Sequence, residues 1–214
     1  FYSNQSWKYL WQTVPEYEIH LPFFYSILKF WRALAGSGEA ALRTPAVLGS
    51  LGVILCSFTA GRIAGGTRNG IMLGLTAAAL FAVWKLQIEL ARDARPYAFC
   101  ALFMSLTMIG TLHILSYPAR YSEWPWKVVS TSLSSALALL SLTVGNALML
   151  WSHNVGAIAV LANSFYFLFW WVFTQRCDFR LLSTLAACGF FVSVLFAPGI
   201  PLLLEQAGGL PDQC

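Results

Sequence analysis

Six runs of predominantly apolar residues, at about 44–62, 69–88, 97–117, 128–150, 154–174 and 181–204, occupy most of the 214-residue chain. Each is close to the roughly 20 helical residues needed to cross a hydrocarbon core about 30 Å thick. With 58% hydrophobic and only 10% charged residues, the chain has too little polar surface to enclose so much apolar sequence in water. The runs lack the alternation of a membrane β-strand, and inside a bilayer only helices and closed barrels satisfy the backbone. The expected fold is therefore all-α: a polytopic transmembrane helix bundle of about six spans.

A shorter apolar stretch, LPFFYSILKFWRALAG, carries Lys29 and Arg32 inside it. At 1.5 Å per residue, 22–36 reaches only roughly 22 Å, which suits a helix lying along the membrane surface better than a span. The chain then divides into an external loop segment (1–21), this interfacial helix (22–36), the bundle (37–204) and the start of another external loop (205–214).

Loop charges give the sidedness. If the first span runs inward from Thr44, the cytoplasmic turns hold Arg62, Arg68, Arg120, Lys127, Arg176 and Arg180, as the positive-inside rule requires. The net charge of +4 is spread along the chain without an aromatic-interleaved basic patch, so nucleic acid is not an expected partner. Five cysteines, odd in number and without CxxC or His-paired spacing, read as small buried hydrophobes rather than a disulfide framework or zinc site. The aromatic run from Phe165 to Trp171 reads as lipid-facing and interfacial surface.

The densest charge lies in QIELARDARPYAF, Gln87 to Phe99, where Glu89, Arg92, Asp93 and Arg95 fall within seven positions. Each charge at the centre of a span costs about 2.5–3.5 kcal/mol, so this stretch must be a helix junction. Pro96 agrees: it disfavours helical geometry at Arg95 and fits the first turn of the next helix. By sidedness the junction is external, as are the N-terminal segment and the Ser152-His153-Asn154 turn. Taken alone, the four charges also fit a solvated turn whose members pair with one another.

ELARDARPYAF resembles the "S-x-E-A-R-P-Y-A-L" turn of the GT-C glycosyltransferases, membrane enzymes that use polyprenyl-linked sugars and include protein O-mannosyltransferases and lipid A aminoarabinose transferases. Three further segments are similar in the same order. Glu18 to Tyr25, EIHLPFFY, resembles "D-x-H-P-P-L-Y-Y"; Trp31 to Pro45, WRALAGSGEAALRTP, resembles "W-x-x-L-F-G-x-S-E-x-A-L-R-x-P-S"; and Leu150 to Asn154, LWSHN, resembles "L-Y-T-H-Y". Asp93 stands for the usual Glu, and Leu21 for the first proline. The family's catalytic acid belongs to a "D-E" pair upstream of the His-Pro segment, and none precedes Glu16. The resemblance therefore implies that the catalytic Asp and a first transmembrane helix lie before Phe1, with this chain a piece of a longer protein.

The resemblance further implies an inverting transfer of sugar from a polyprenyl phosphate or diphosphate to a glycan, lipid or protein acceptor, at the external face of a membrane, most simply the bacterial inner membrane. An acid or base must activate the acceptor, and cations must balance the departing phosphate. Glu18 and His20 are candidates either for ligating a divalent metal ion or for positioning the acceptor. Arg95 is the first candidate for the donor phosphate, because its guanidinium is a planar fork that stays charged. Arg92 is a second, unless it pairs with Glu89 or Asp93. Tyr97 and His153 complete the donor-binding set; each also has a plainer reading as an interfacial residue. Competing expectations are a transporter or lipid flippase, whose sites lie near the midplane, and a non-catalytic membrane subunit.

Overall fold

The computed structural model describes residues 4–13, 21–174 and 178–208, and the regular elements among them are all helices. Two short helices come first. Ser6 caps α1 (Trp7–Gln12) by accepting the Tyr9 N–H, and α2 (Phe23–Ala35) coincides with the expected interfacial stretch. Phe24 and Leu28 of α2 are buried, and Trp31 Nε1 donates to the Ala41 carbonyl at 2.9 Å.

The next element, α3 (Glu39–Val83), spans 45 residues as two helical limbs broken at Gly66 rather than as one rod. Gly66 has φ 60° and ψ −153°, a region open essentially to glycine, and beyond it the chain doubles back. A Cβ on Gly61 would lie 2.7 Å from Gly74 Cα, and one on Gly65 2.8 Å from Gly70 Cα, so the limbs run antiparallel in near backbone contact. The limbs match the first two apolar runs, and the Arg62–Arg68 turn joins them. Gly66→Ala is expected to cost about 1–3 kcal/mol although nothing lies within 4 Å of its Cβ position, because the strain is in the backbone. Thermal unfolding in detergent reads this, and an unchanged midpoint would remove the turn as drawn.

Helix boundaries depart from the runs where polar or proline residues interrupt them. The run taken to 88 ends at Val83; extended Trp84 (φ −69°, ψ 122°) separates it from α4 (Lys85–Arg92). After α5 (Tyr97–Ser116) and a 3-10 turn at Pro118–Arg120, the fourth run divides at Ser132 into α6 (Pro125–Thr131) and α7 (Leu133–Ser152), with the Ser132 hydroxyl accepting the Ser135 N–H. Beyond α8 (Val155–Thr174), the last run divides at Ala197–Gly199, where Pro198 sits, into α9 (Phe179–Phe196) and α10 (Ile200–Gly208). Five helices are long and apolar enough to cross a membrane: α3, α5, α7, α8 and the stretch Phe179–Leu204. A multi-pass membrane protein carries such helices.

Packing is closest between α5 and α7, which cross antiparallel through Gly110 and Gly145. Beside them Ile114, Tyr121, Val128, Leu139, Leu142, Phe167 and Leu181 form the principal apolar core. Asp178 caps α9 through the N–H groups of Arg180 and Leu181. The Ser122 hydrogen bond, then those two N–H groups, hold its carboxyl below the ordinary value against the opposing effect of burial. Cys56 and Cys188 are buried and Cys100 is half-buried, all as free thiols; Cys177 and Cys214 lie outside the described residues. Phe165, Tyr166 and Phe169 point outward as expected, whereas Phe167 turns into the core.

Candidate functional site

The break at Trp84 ends α3, and α4 follows as a short, more polar helix that meets the first limb of α3 at Ser50. Gln87 pins it there: its side chain is 4% exposed and Nε2 donates to the Ser50 carbonyl at 3.4 Å. Pro96 then serves as N-cap of α5, with the Phe99 and Cys100 N–H groups both donating to its carbonyl. The charged stretch is thus a helix junction.

Its charges pair differently from the alternatives weighed for Arg92. Glu89 meets Lys85 at 3.7 Å, and Asp93 Oδ2 lies 3.4 Å from Arg95 Nε. Arg92 makes no salt bridge among the described residues. Arg92 and Arg95 instead line a cleft of about 600 Å³ whose opposite wall is the start of α3, with Ser37, Glu39 and Arg43. Glu39 and Arg43 form an i,i+4 ion pair. Three guanidiniums against two carboxylates leave this cleft with one excess positive charge.

Tyr97 and His153 form a second pair, with ring centroids 5.9 Å apart. His153 ends α7, and its Nδ1 accepts the Val155 N–H at 3.1 Å, so the side chain also holds the α7–α8 turn. Burial keeps its pKa below the ordinary value. A neutral imidazole with Nδ1 accepting carries its proton on Nε2, making it a donor.

The described parts of the four quoted segments meet at this end of the bundle. Phe24 of α2 packs on Phe99 of α5 at 5.8 Å, and Phe23 on Trp151 of α7 at 6.4 Å. Gly49 of α3 lies against Ala98, its Cβ position 3.4 Å from the Ala98 carbonyl oxygen. Glu18 and His20 lie outside the described residues, so neither their metal-binding nor their acceptor-positioning role has a geometry here. Among the described residues, no three His, Cys, Asp or Glu side chains gather as a metal site. Ser37, Glu39 and Arg43 were not singled out from the sequence as site residues. The available signal was their place in the third segment, whose acid and arginine are spaced i,i+4 on one helical face.

No family model matches the chain, and no curated protein or solved structure is significantly similar to it.

Guanidiniums from two elements border this single cleft, an arrangement chemically suited to an anion bearing more than one oxygen. A different cavity, of about 560 Å³, opens between α7, α8 and α9; Asn146 and Asn163 are among its polar lining, and among the described residues no charged side chain lines it.

Proposed function

We propose that this chain is the membrane portion of an inverting GT-C-type glycosyltransferase that moves a sugar from a polyprenyl-phosphate-linked donor to an acceptor at the external, periplasmic face of the bacterial inner membrane. The observation that carries this reading is the meeting of the described parts of the four family-like segments at one end of the bundle, two of them lining an arginine-bearing cleft there. In this reading Arg92, Arg95 and Arg43 take the donor phosphate, whose charge grows as the sugar departs, and fixed cations at that point lower the barrier. Tyr97 and the Nε2–H of His153, in ring contact with each other at the same end of the bundle, are further candidate donors. A divalent ion, if Glu18 and His20 hold one, would supply additional charge to the phosphate.

Reconstitution separates this reading from its competitors. The full-length protein in proteoliposomes with a polyprenyl-phosphate-linked sugar is expected to release polyprenyl phosphate only when acceptor is present. Movement of intact donor between leaflets without release would make the protein a flippase. Neither release nor movement, with the protein folded, would leave a non-catalytic subunit.

A further inference from the structure

The end of the bundle opposite the candidate site has its own cleft, of about 570 Å³, between the Gly66 turn of α3 and the segment following α5. Arg62, Thr67, His113, Tyr117, Arg120 and Ser134 supply its polar lining, and among the described residues no carboxylate takes part. Two guanidiniums therefore face one space without a compensating anion in its wall. Arg120 is held in place: its guanidinium lies 4.6 Å from the Tyr117 ring centroid, and NH1 donates to Ser134 Oγ at 3.2 Å. Arg62 stands 6.0 Å from the Phe58 ring centroid. Behind them, the Tyr121 hydroxyl and His113 Nδ1 are 2.6 Å apart. Burial pushes the Tyr121 hydroxyl up to about 12, so it stays neutral and adds no negative charge.

The cleft does not end at its polar mouth. A second cavity, of about 480 Å³, shares Thr59, Ile63, His113 and Ser134 with it and continues between α5 and α7 past Leu106, Ile109, Leu137 and Leu140. From Ser134 to Val144 this apolar groove follows α7 for roughly 15 Å at 1.5 Å per residue. Leu137 and Leu140 are exposed along it, so the groove is open to whatever surrounds the helices. At the same end Trp124 and Trp126 stack with centroids 5.3 Å apart and remain exposed, the disposition of aromatic side chains at headgroup level.

A cationic mouth at the aromatic level joined to an apolar groove running into the span has the form of a phospholipid. We infer that this end of the bundle binds a phosphate-bearing lipid, its phosphate between Arg62 and Arg120 and an acyl chain along Leu106, Ile109, Leu137 and Leu140. The site does not depend on the glycosyltransferase reading, because it shares no residue with the Arg92–Arg95 cleft. Neither half suffices alone: the arginines favour any phosphate, and the groove any acyl chain.

The test is thermal unfolding of the full-length protein in a neutral detergent, titrated separately with phosphatidic acid, diacylglycerol of the same chains, and inorganic phosphate. Phosphatidic acid is expected to raise the midpoint saturably, with the other two giving little change. Arg62→Gln removes one fork at the cleft and should weaken apparent phosphatidic acid affinity about ten-fold. Should that variant fold poorly, Arg62→Lys keeps the charge and is expected to weaken binding less. Leu137→Trp fills the exposed groove and should weaken binding while leaving the unliganded midpoint near the parental value. An equal shift from inorganic phosphate would make this an anion site without a tail groove, and an equal shift from diacylglycerol an apolar groove without a phosphate site; either overturns the inference. So would phosphatidic acid binding that neither the Arg62 variants nor Leu137→Trp alter.

Discussion

On the proposed glycosyltransferase reading, Arg95→Ala in the full-length protein is expected to lower sugar transfer from a polyprenyl-phosphate-linked donor by about 10²–10³-fold, the usual effect of removing one group aimed at transition-state charge. The yield of folded protein stays near parental. The Arg95 side chain is 63% exposed, its ion-pair partner Asp93 is also exposed, and pairs of that kind contribute little to stability. The expected loss is therefore catalytic. Arg95→Lys keeps the charge but not the planar fork, so it falls between parent and alanine. Arg92 shares the cleft, and Arg92→Ala is expected to act in the same direction. Measuring donor consumption beside the amount of monodisperse protein separates chemistry from folding. Normal transfer by a normally folded Arg95→Ala would remove the phosphate role and leave a solvated turn.

Gly110→Leu is expected to abolish the folded bundle, and Gly110→Ala to cost about 1–3 kcal/mol through overpacking. A Cβ at Gly110 would lie 2.5 Å from the Ala138 carbonyl oxygen and 2.9 Å from the Leu142 nitrogen. Both are backbone atoms of α7, which cannot step aside as a side chain tip would. Gly145 makes the reciprocal contact, its Cβ position 2.8 Å from the Phe103 carbonyl oxygen. In lipid, hydrocarbon around the helices is as apolar as their side chains, so close backbone approach at small residues carries much of the association. Gly189 is the matched control: nothing lies within 4 Å of its Cβ position, and Gly189→Leu should leave the protein intact. Size-exclusion profiles after stepwise heating in detergent distinguish the variants, and a Gly110→Leu protein as stable as the control would reject this packing. The contact also matters to the site, because α5 begins with Tyr97 and α7 leads into His153; parting these helices parts that pair.

The local chemistry of the sequence was enough for the helical class, the short helix near 22–36 and the junction at Glu89 to Pro96. Apolar runs of membrane length must satisfy their own backbone, and four charges so close together cannot remain inside a span. It also singled out Arg92, Arg95, Tyr97 and His153 as candidates, through residue types suited to a phosphate and through likeness to known motifs. Local pattern did not locate the breaks at Trp84, Ser132 and Pro198, because mean hydropathy passes smoothly across a residue whose backbone leaves the helix. Nor did it bring Arg43 opposite Arg92, or Arg62 into one cleft with Arg120. Those meetings depend on which helices lie side by side. Apolar character alone leaves that open, since every span is equally soluble in lipid; glycine contacts such as Gly61–Gly74 and Gly110–Ala138 fix it through shape, between residues far apart in the chain.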